Sequence, residues 1–101
     1  MAKSVLLSTD LDSTNAVPYF LWDEPMTVEE FSRRLSTGSE PERVRLLAKL
    51  LREARDTDAW RFTRPAEVAR LWPQLAPRLG RRRPFWDYLL ARWRSLGLLA
   101  A

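Results

Sequence analysis

The chain has 101 residues, 17 basic and 13 acidic side chains, a net charge of +4, and neither cysteine nor histidine. Disulfide frameworks, thiolate or imidazole metal sites and every Ser-His or Cys-His nucleophile are therefore excluded, and a chain this short holds one core, not two. Fifteen of the 17 bases are arginine and five residues are tryptophan, which points away from catalysis and towards binding.

Residues 1–18 show no helical period and end in a proline, so they read as an extended acidic arm, loosely held or disordered. The remainder, 19–101, reads as a single helical domain. Tyr19-Phe20-Leu21-Trp22 is a dense apolar cluster expected to dock on the helices as a short extended segment. Thr27 followed by Glu30 is a capping box; it opens a helix running to about Leu35, with Val28, Phe31 and Leu35 inward. Thr37-Gly38 stops it. Ser39, Pro41 and the acids Glu40 and Glu42 then start a second helix, which runs to about Arg55. Its apolar arc is Val44, Leu46, Leu47, Leu50, Leu51 and Ala54, and Arg45, Lys49 and Arg52 fall opposite at i, i+4 and i+7.

Asp56-Thr57-Asp58 reads as a break, and Ala59 to Phe62 alternates like a very short extended piece. Thr63 and Pro65 open another helix, with Val68, Leu71, Trp72 and Leu75 at helical spacing. Pro73 kinks or ends that helix near Leu71; a short turn continues to Leu79, and Gly80 closes it. After Arg81-Arg82-Arg83, Pro84 starts the last helix. Its stripe is Phe85, Trp86, Leu89, Leu90 and Trp93, extending to Leu96, and Gly97 ends it. The expected fold is all-α, a small bundle of four to five helices with an extended N-terminal arm. No stretch is long and apolar enough to cross a membrane, and the start of the chain is too short and too weakly apolar for a signal peptide, so a cytoplasmic protein is expected.

Charge is unevenly spread: residues 1–40 carry three bases and seven acids, residues 41–101 fourteen bases and six acids. That makes the charge a statement about partners. Asp10 and Asp12 follow an apolar run in the D-x-D-x-T pattern of haloacid-dehalogenase-type phosphatases. That chemistry needs a central parallel sheet, a later lysine and a metal-binding carboxylate pair, which a helical chain does not supply. No catalytic residue, metal ligand or cofactor is expected. Arg81, Arg82 and Arg83 stand ahead of a helix N-terminus, where the dipole gives them no help, and together they suit phosphate or a partner's carboxylates. Trp86, Trp93 and Phe85 are expected in the core, with Tyr88 off the stripe and exposed. Thr27 to Leu47 also has helix-turn-helix character, with Arg45, Lys49 and Arg52 as phosphate contacts. Its turn is long and its second helix is more apolar than a groove-binding helix needs.

The words Tyr19-Phe20-Leu21-Trp22-Asp23, Met26-Thr27-Val28-Glu29-Glu30-Phe31, Lys49-Leu50-Leu51-Arg52-Glu53-Ala54-Arg55-Asp56, Trp60-Arg61-Phe62 and Gly80-Arg81-Arg82-Arg83-Pro84-Phe85-Trp86 occur in this order. In that respect residues 19–99 resemble a group of small bacterial helical proteins encoded beside abortive-infection-type nucleotidyltransferase toxins. The resemblance implies an antitoxin-like role: binding the toxin enzyme, blocking its active site, and regulating the shared operon. It carries over no residue roles. With that partner, Arg81, Arg82, Arg83, Tyr88, Asp10 and Asp12 are the candidate contacts. The alternative expectation is a nucleic-acid-binding regulator using Arg45, Lys49 and Arg52.

Overall fold

The computed structural model describes residues 6–99; residues 1–5 of the expected arm and the last two residues lie outside it. Of the described residues 64% are helical, in six α-helices and three 3-10 turns, with one pair of short strands. The mostly helical expectation holds. The extended arm and the count of four to five helices do not describe it fully. The chain's contacts group into two units, one ending at Arg43 and the other beginning at Val44.

In the first unit, β1 (Leu7–Ser8) and β2 (Val17–Pro18) pair in parallel, with Leu7 opposite Val17 and Ser8 opposite Pro18. The chain between them folds through side-chain turns. Ser8 Oγ accepts the Asp10 amide at 2.9 Å, and Asp10 Oδ1 accepts the Asp12 amide at 3.1 Å. Such turns carry no hydrophobic period, which is why these residues read as an unstructured arm. The loop has a structural task. The carbonyls of Ala16 and Thr14 accept the amides of Val28 and Glu29 at 2.9 and 3.1 Å. Those donors open α1 (Val28–Thr37) and have no partner inside the helix. Thr27 Oγ1 takes the Glu30 amide at 3.1 Å, completing the cap as the capping box predicts.

Tyr19–Leu21 forms a 3-10 turn, not the expected extended segment, because Pro18 sets its start and Phe20 and Leu21 are both drawn into the core. The Phe20 ring meets that of Phe31 edge to face, centroids 5.4 Å apart, and Tyr19 meets Phe20 at 5.4 Å. At the far end of α1, the Gly38 amide donates to the Arg34 carbonyl at 3.0 Å. Gly38 has an ordinary φ of −70°, so conformational freedom is not the reason for it. Space is: a Cβ there would lie 2.6 Å from the Arg34 carbonyl oxygen. Gly38→Ala is therefore expected to cost about 1–3 kcal/mol by forcing backbone apart, read as a lower midpoint in urea unfolding. Arg34 reaches Glu30 at 2.8 Å and Glu42 at 3.5 Å, and Arg43 Nε donates to the Leu35 carbonyl at 2.9 Å. These contacts join α1 to the start of α2 (Glu40–Glu53).

In the second unit, α2 contributes Val44 and an unbroken buried run from Leu46 to Leu51. A one-turn α3 (Asp56–Ala59) stands where a break and an extended piece are expected. Its two aspartates sit in the first turn, where the helix dipole favours them, and Ala59 is fully buried. Then come α4 (Pro65–Arg70), α5 (Trp72–Leu75), two 3-10 turns (Ala76–Arg78 and Gly80–Arg82) and α6 (Arg83–Ser95). Pro65, Pro73 and Pro84 each occupy the first turn of their helix, where a missing amide costs nothing. Trp86 is the centre of this unit. It is fully buried, and its indole N–H donates to the Leu51 carbonyl at 2.9 Å. Leu51 lies in the last turn of α2, where carbonyls run out of helical partners. Trp60 stands edge-on to Trp86 at 5.5 Å and lies 5.4 Å from Trp93. Gly97, with φ +75°, ends α6: its amide donates to Arg94 and that of Leu98 to Trp93, the paired pattern of a Schellman stop.

Candidate functional site

Asp10 and Asp12 are exposed and sit in the turn that follows β1. The strand pair is parallel, as a phosphatase loop would require, but only the short turn-rich loop joins its members. Lys49, the later lysine that such chemistry needs, is buried in the second unit. Among the described residues no group of three or more acidic side chains is placed to hold a metal ion.

The cationic stripe expected along α2 is not a solvent face. Lys49 is only 6% exposed and is not without a partner. Arg52 is half-buried; its guanidinium donates to the Arg78 carbonyl at 3.1 Å and to Glu53 at 3.2 Å. Arg45 alone of the three stays exposed. The cause is burial around most of the helix. A lysine enters such an environment because its four-carbon stem packs as an apolar chain. Periodicity among the leucines marks one buried arc and does not reveal that the other side is covered too.

The three consecutive arginines diverge. Gly80–Arg82 is a 3-10 turn entered at Gly80 with φ +51°, and Arg83 is the first residue of α6. Arg81 and Arg83 are exposed. Arg82 is half-buried, its guanidinium 5.2 Å from the Phe85 ring centroid and 5.8 Å from that of Trp86, a cation–π arrangement. Along α6 the buried stripe narrows to Trp86 and Leu90, with Leu89 and Trp93 half-buried. Phe85 is 39% exposed, contrary to its expected place in the core, because adjacent helical residues point about 100° apart and Trp86 takes the inward position. Tyr88 is 65% exposed, as its position off the stripe predicts. Phe85, Tyr88 and Arg92 then share one face at i, i+3 and i+7. From Arg78 to Ser95 there are six arginines and a single acid, Asp87.

A second feature lies in the first unit. Trp22 is 60% exposed just after the 3-10 turn, although its neighbours Phe20 and Leu21 are buried. The unit is acidic: residues 1–43 hold four bases and eight acids. Of the two surfaces, Trp22 and Phe85 carry little sequence signal, since each abuts an apolar residue that is buried instead. The only hint at Trp22 is the polar Asp23-Glu24-Pro25 that comes after it. Asp10 and Asp12 fall in the acidic unit, and Arg81, Arg82, Arg83 and Tyr88 in the basic one. Among the described residues no helix is long and apolar enough to cross a membrane. Compared with protein-family models, curated proteins and solved structures, the chain matches none.

Proposed function

We propose that this protein is an antitoxin-like inhibitor, which binds a nucleotidyltransferase toxin through protein–protein contacts and works without chemistry of its own. The observation that supports this reading is Trp22. Tryptophan is seldom left in water by a small domain and is among the residue types most enriched at binding hot spots. Here it is 60% exposed on a unit with a net charge of −4. A nucleotidyltransferase must hold phosphates and a base, so its channel is lined by cations and apolar surface. A flat ring on an acidic unit offers the same two chemistries as a nucleotide. Exposed Asp10 and Asp12 add charge to that unit, which speeds encounter with a basic channel. The helix-turn-helix alternative has less support, because Lys49 is withdrawn from the face it would need.

The test is co-expression with a nucleotidyltransferase toxin of the abortive-infection type taken from the same gene neighbourhood, followed by purification and calorimetry; a neighbourhood without such a gene counts against the reading. A stable complex is expected, and two species that elute separately would sink the reading. Trp22→Ala is expected to weaken the complex about 30-fold, the scale of a hot-spot residue. Its melting temperature should stay within about 2 °C of the parent, because an exposed ring contributes little to folding. Unchanged affinity in Trp22→Ala would remove this residue from the interface.

A further inference from the structure

We infer that the exposed face of α6 is a platform for single-stranded nucleic acid, in which arginines hold the phosphates and Phe85 and Tyr88 stack on bases. Three features carry this, all within the second unit. First, charge: the segment from Arg78 to Ser95 holds six arginines and a single acid, which favours a polyanion, and of these Arg92 lies on the Phe85 side of α6 and Arg82 against the Phe85 ring. Second, exposed rings: Tyr88 is 65% and Phe85 39% exposed, on the same face as Arg92. Along the axis, Tyr88 lies about 4.5 Å and Arg92 about 10.5 Å from Phe85, from the helical rise. Two rings in succession, with Arg82 before them and Arg92 after, thus run along one side of the helix at a spacing that a single strand can follow. Third, preorganisation: Arg82 is held against the faces of Phe85 and Trp86, so one guanidinium at the edge of the platform is already placed.

The strand must be single. In a duplex the base faces are stacked on one another and offer nothing to an aromatic side chain, whereas a single strand presents every base. Nor does this depend on the Trp22 surface, which is in the other unit and of opposite charge. One chain would thus carry an acidic surface for a protein and a basic, aromatic one for a nucleic-acid strand.

The experiment is fluorescence anisotropy of the full chain with fluorescein-labelled 12-nucleotide oligouridylate, oligothymidylate and a 12-base-pair duplex. At 50 mM salt both single strands are expected to bind more tightly than the duplex, and any preference between them names RNA or DNA as the natural ligand. Tyr88→Ala should weaken single-strand binding roughly tenfold, while Tyr88→Phe should retain it. Arg81→Ala and Arg92→Ala should each reduce the slope of log K against log salt by about 0.7. Trp22→Ala should bind the strands like the parent, which separates this test from that of the protein complex. All four positions are exposed, and far-UV circular dichroism verifies that each variant is folded. Absence of single-strand binding at 50 mM salt overturns the inference. So does a duplex bound equally well with no effect of Tyr88→Ala, which would leave only diffuse charge attraction. Displacement by polyglutamate with the same dependence on Tyr88 also overturns it, since the occupant would then be an acidic protein surface.

Discussion

Trp86→Ala is expected to lose about 3–5 kcal/mol of folding free energy, as removal of a buried aromatic ring does. A domain of this size has about 5–15 kcal/mol in total, so the variant will be marginal or unfolded at 37 °C. Two costs add. The indole is fully buried and touches both Trp60 and, through its own turn of helix, Phe85, so its loss opens a cavity lined by rings that cannot close up. It also donates to the Leu51 carbonyl at 2.9 Å, and alanine leaves that buried oxygen without a partner. Trp86→Phe separates these in part: it keeps a buried six-membered ring, removes the donor and leaves a smaller cavity, with an expected cost of about 1–3 kcal/mol. Urea denaturation followed by far-UV circular dichroism reads both. A loss under about 1 kcal/mol in Trp86→Ala would mean that the indole is not what holds α6 to the end of α2.

The legible and illegible parts of the chain divide along a physical line. Long helices announce themselves. The Thr27 cap with Glu30, the stop at Gly38, the Pro41 start and the Pro84 start all appear in the structure within a residue or two of their expected places. They are visible because caps and helical periods are local. The parallel pair Leu7–Ser8 and Val17–Pro18 is two residues on each side and has no period to detect. Its stability comes from turn side chains and from the amides of Val28 and Glu29, partners distant in sequence. The short α3 is hidden for a related reason: Asp56 and Asp58 are turn formers by composition, and only the burial of Ala59 decides for a helical turn.

Charges and rings at the candidate surfaces are harder still. Lys49, Arg45 and Arg52 have identical spacing logic, yet one is buried, one is pinned to a backbone carbonyl and one is exposed. Which becomes which depends on the elements that close over α2, and no helical wheel contains that information. The same holds for pairs of adjacent apolar residues. Leu21 and Trp22 are equivalent as a pattern, as are Phe85 and Trp86, and in each pair packing takes one inward and leaves the other in water. The exposed member of each pair, Trp22 or Phe85, is the one the proposals above offer to a partner. Under the proposed function, that choice between neighbours is what would carry recognition.

Phe31→Ala is expected to have an effect as large as that of Trp86, about 3–5 kcal/mol, and to affect binding as well. Phe31 is fully buried in α1, and its edge-to-face contact with Phe20 fixes the 3-10 turn Tyr19–Leu21. Such a pair adds about 0.5–1.5 kcal/mol beyond buried area. Trp22 comes directly after that turn. Without Phe31, Phe20 loses the ring it packs against, the turn that presents Trp22 samples more conformations, and only a fraction of molecules hold the indole ready for a partner. Apparent affinity falls by that fraction. Phe31→Leu, which keeps most of the volume, is expected to cost less than about 1.5 kcal/mol and to leave affinity close to that of the parent. Calorimetry at 15 °C, where the variant stays partly folded, compares the three. Trp22→Ala should weaken binding without loss of stability, and Phe31→Ala should lose both. If Phe31→Ala is destabilised but binds the proposed partner as tightly as the parent at equal folded concentration, then Trp22 is not positioned through the Phe20–Phe31 contact. Its place would then be set by the partner on binding.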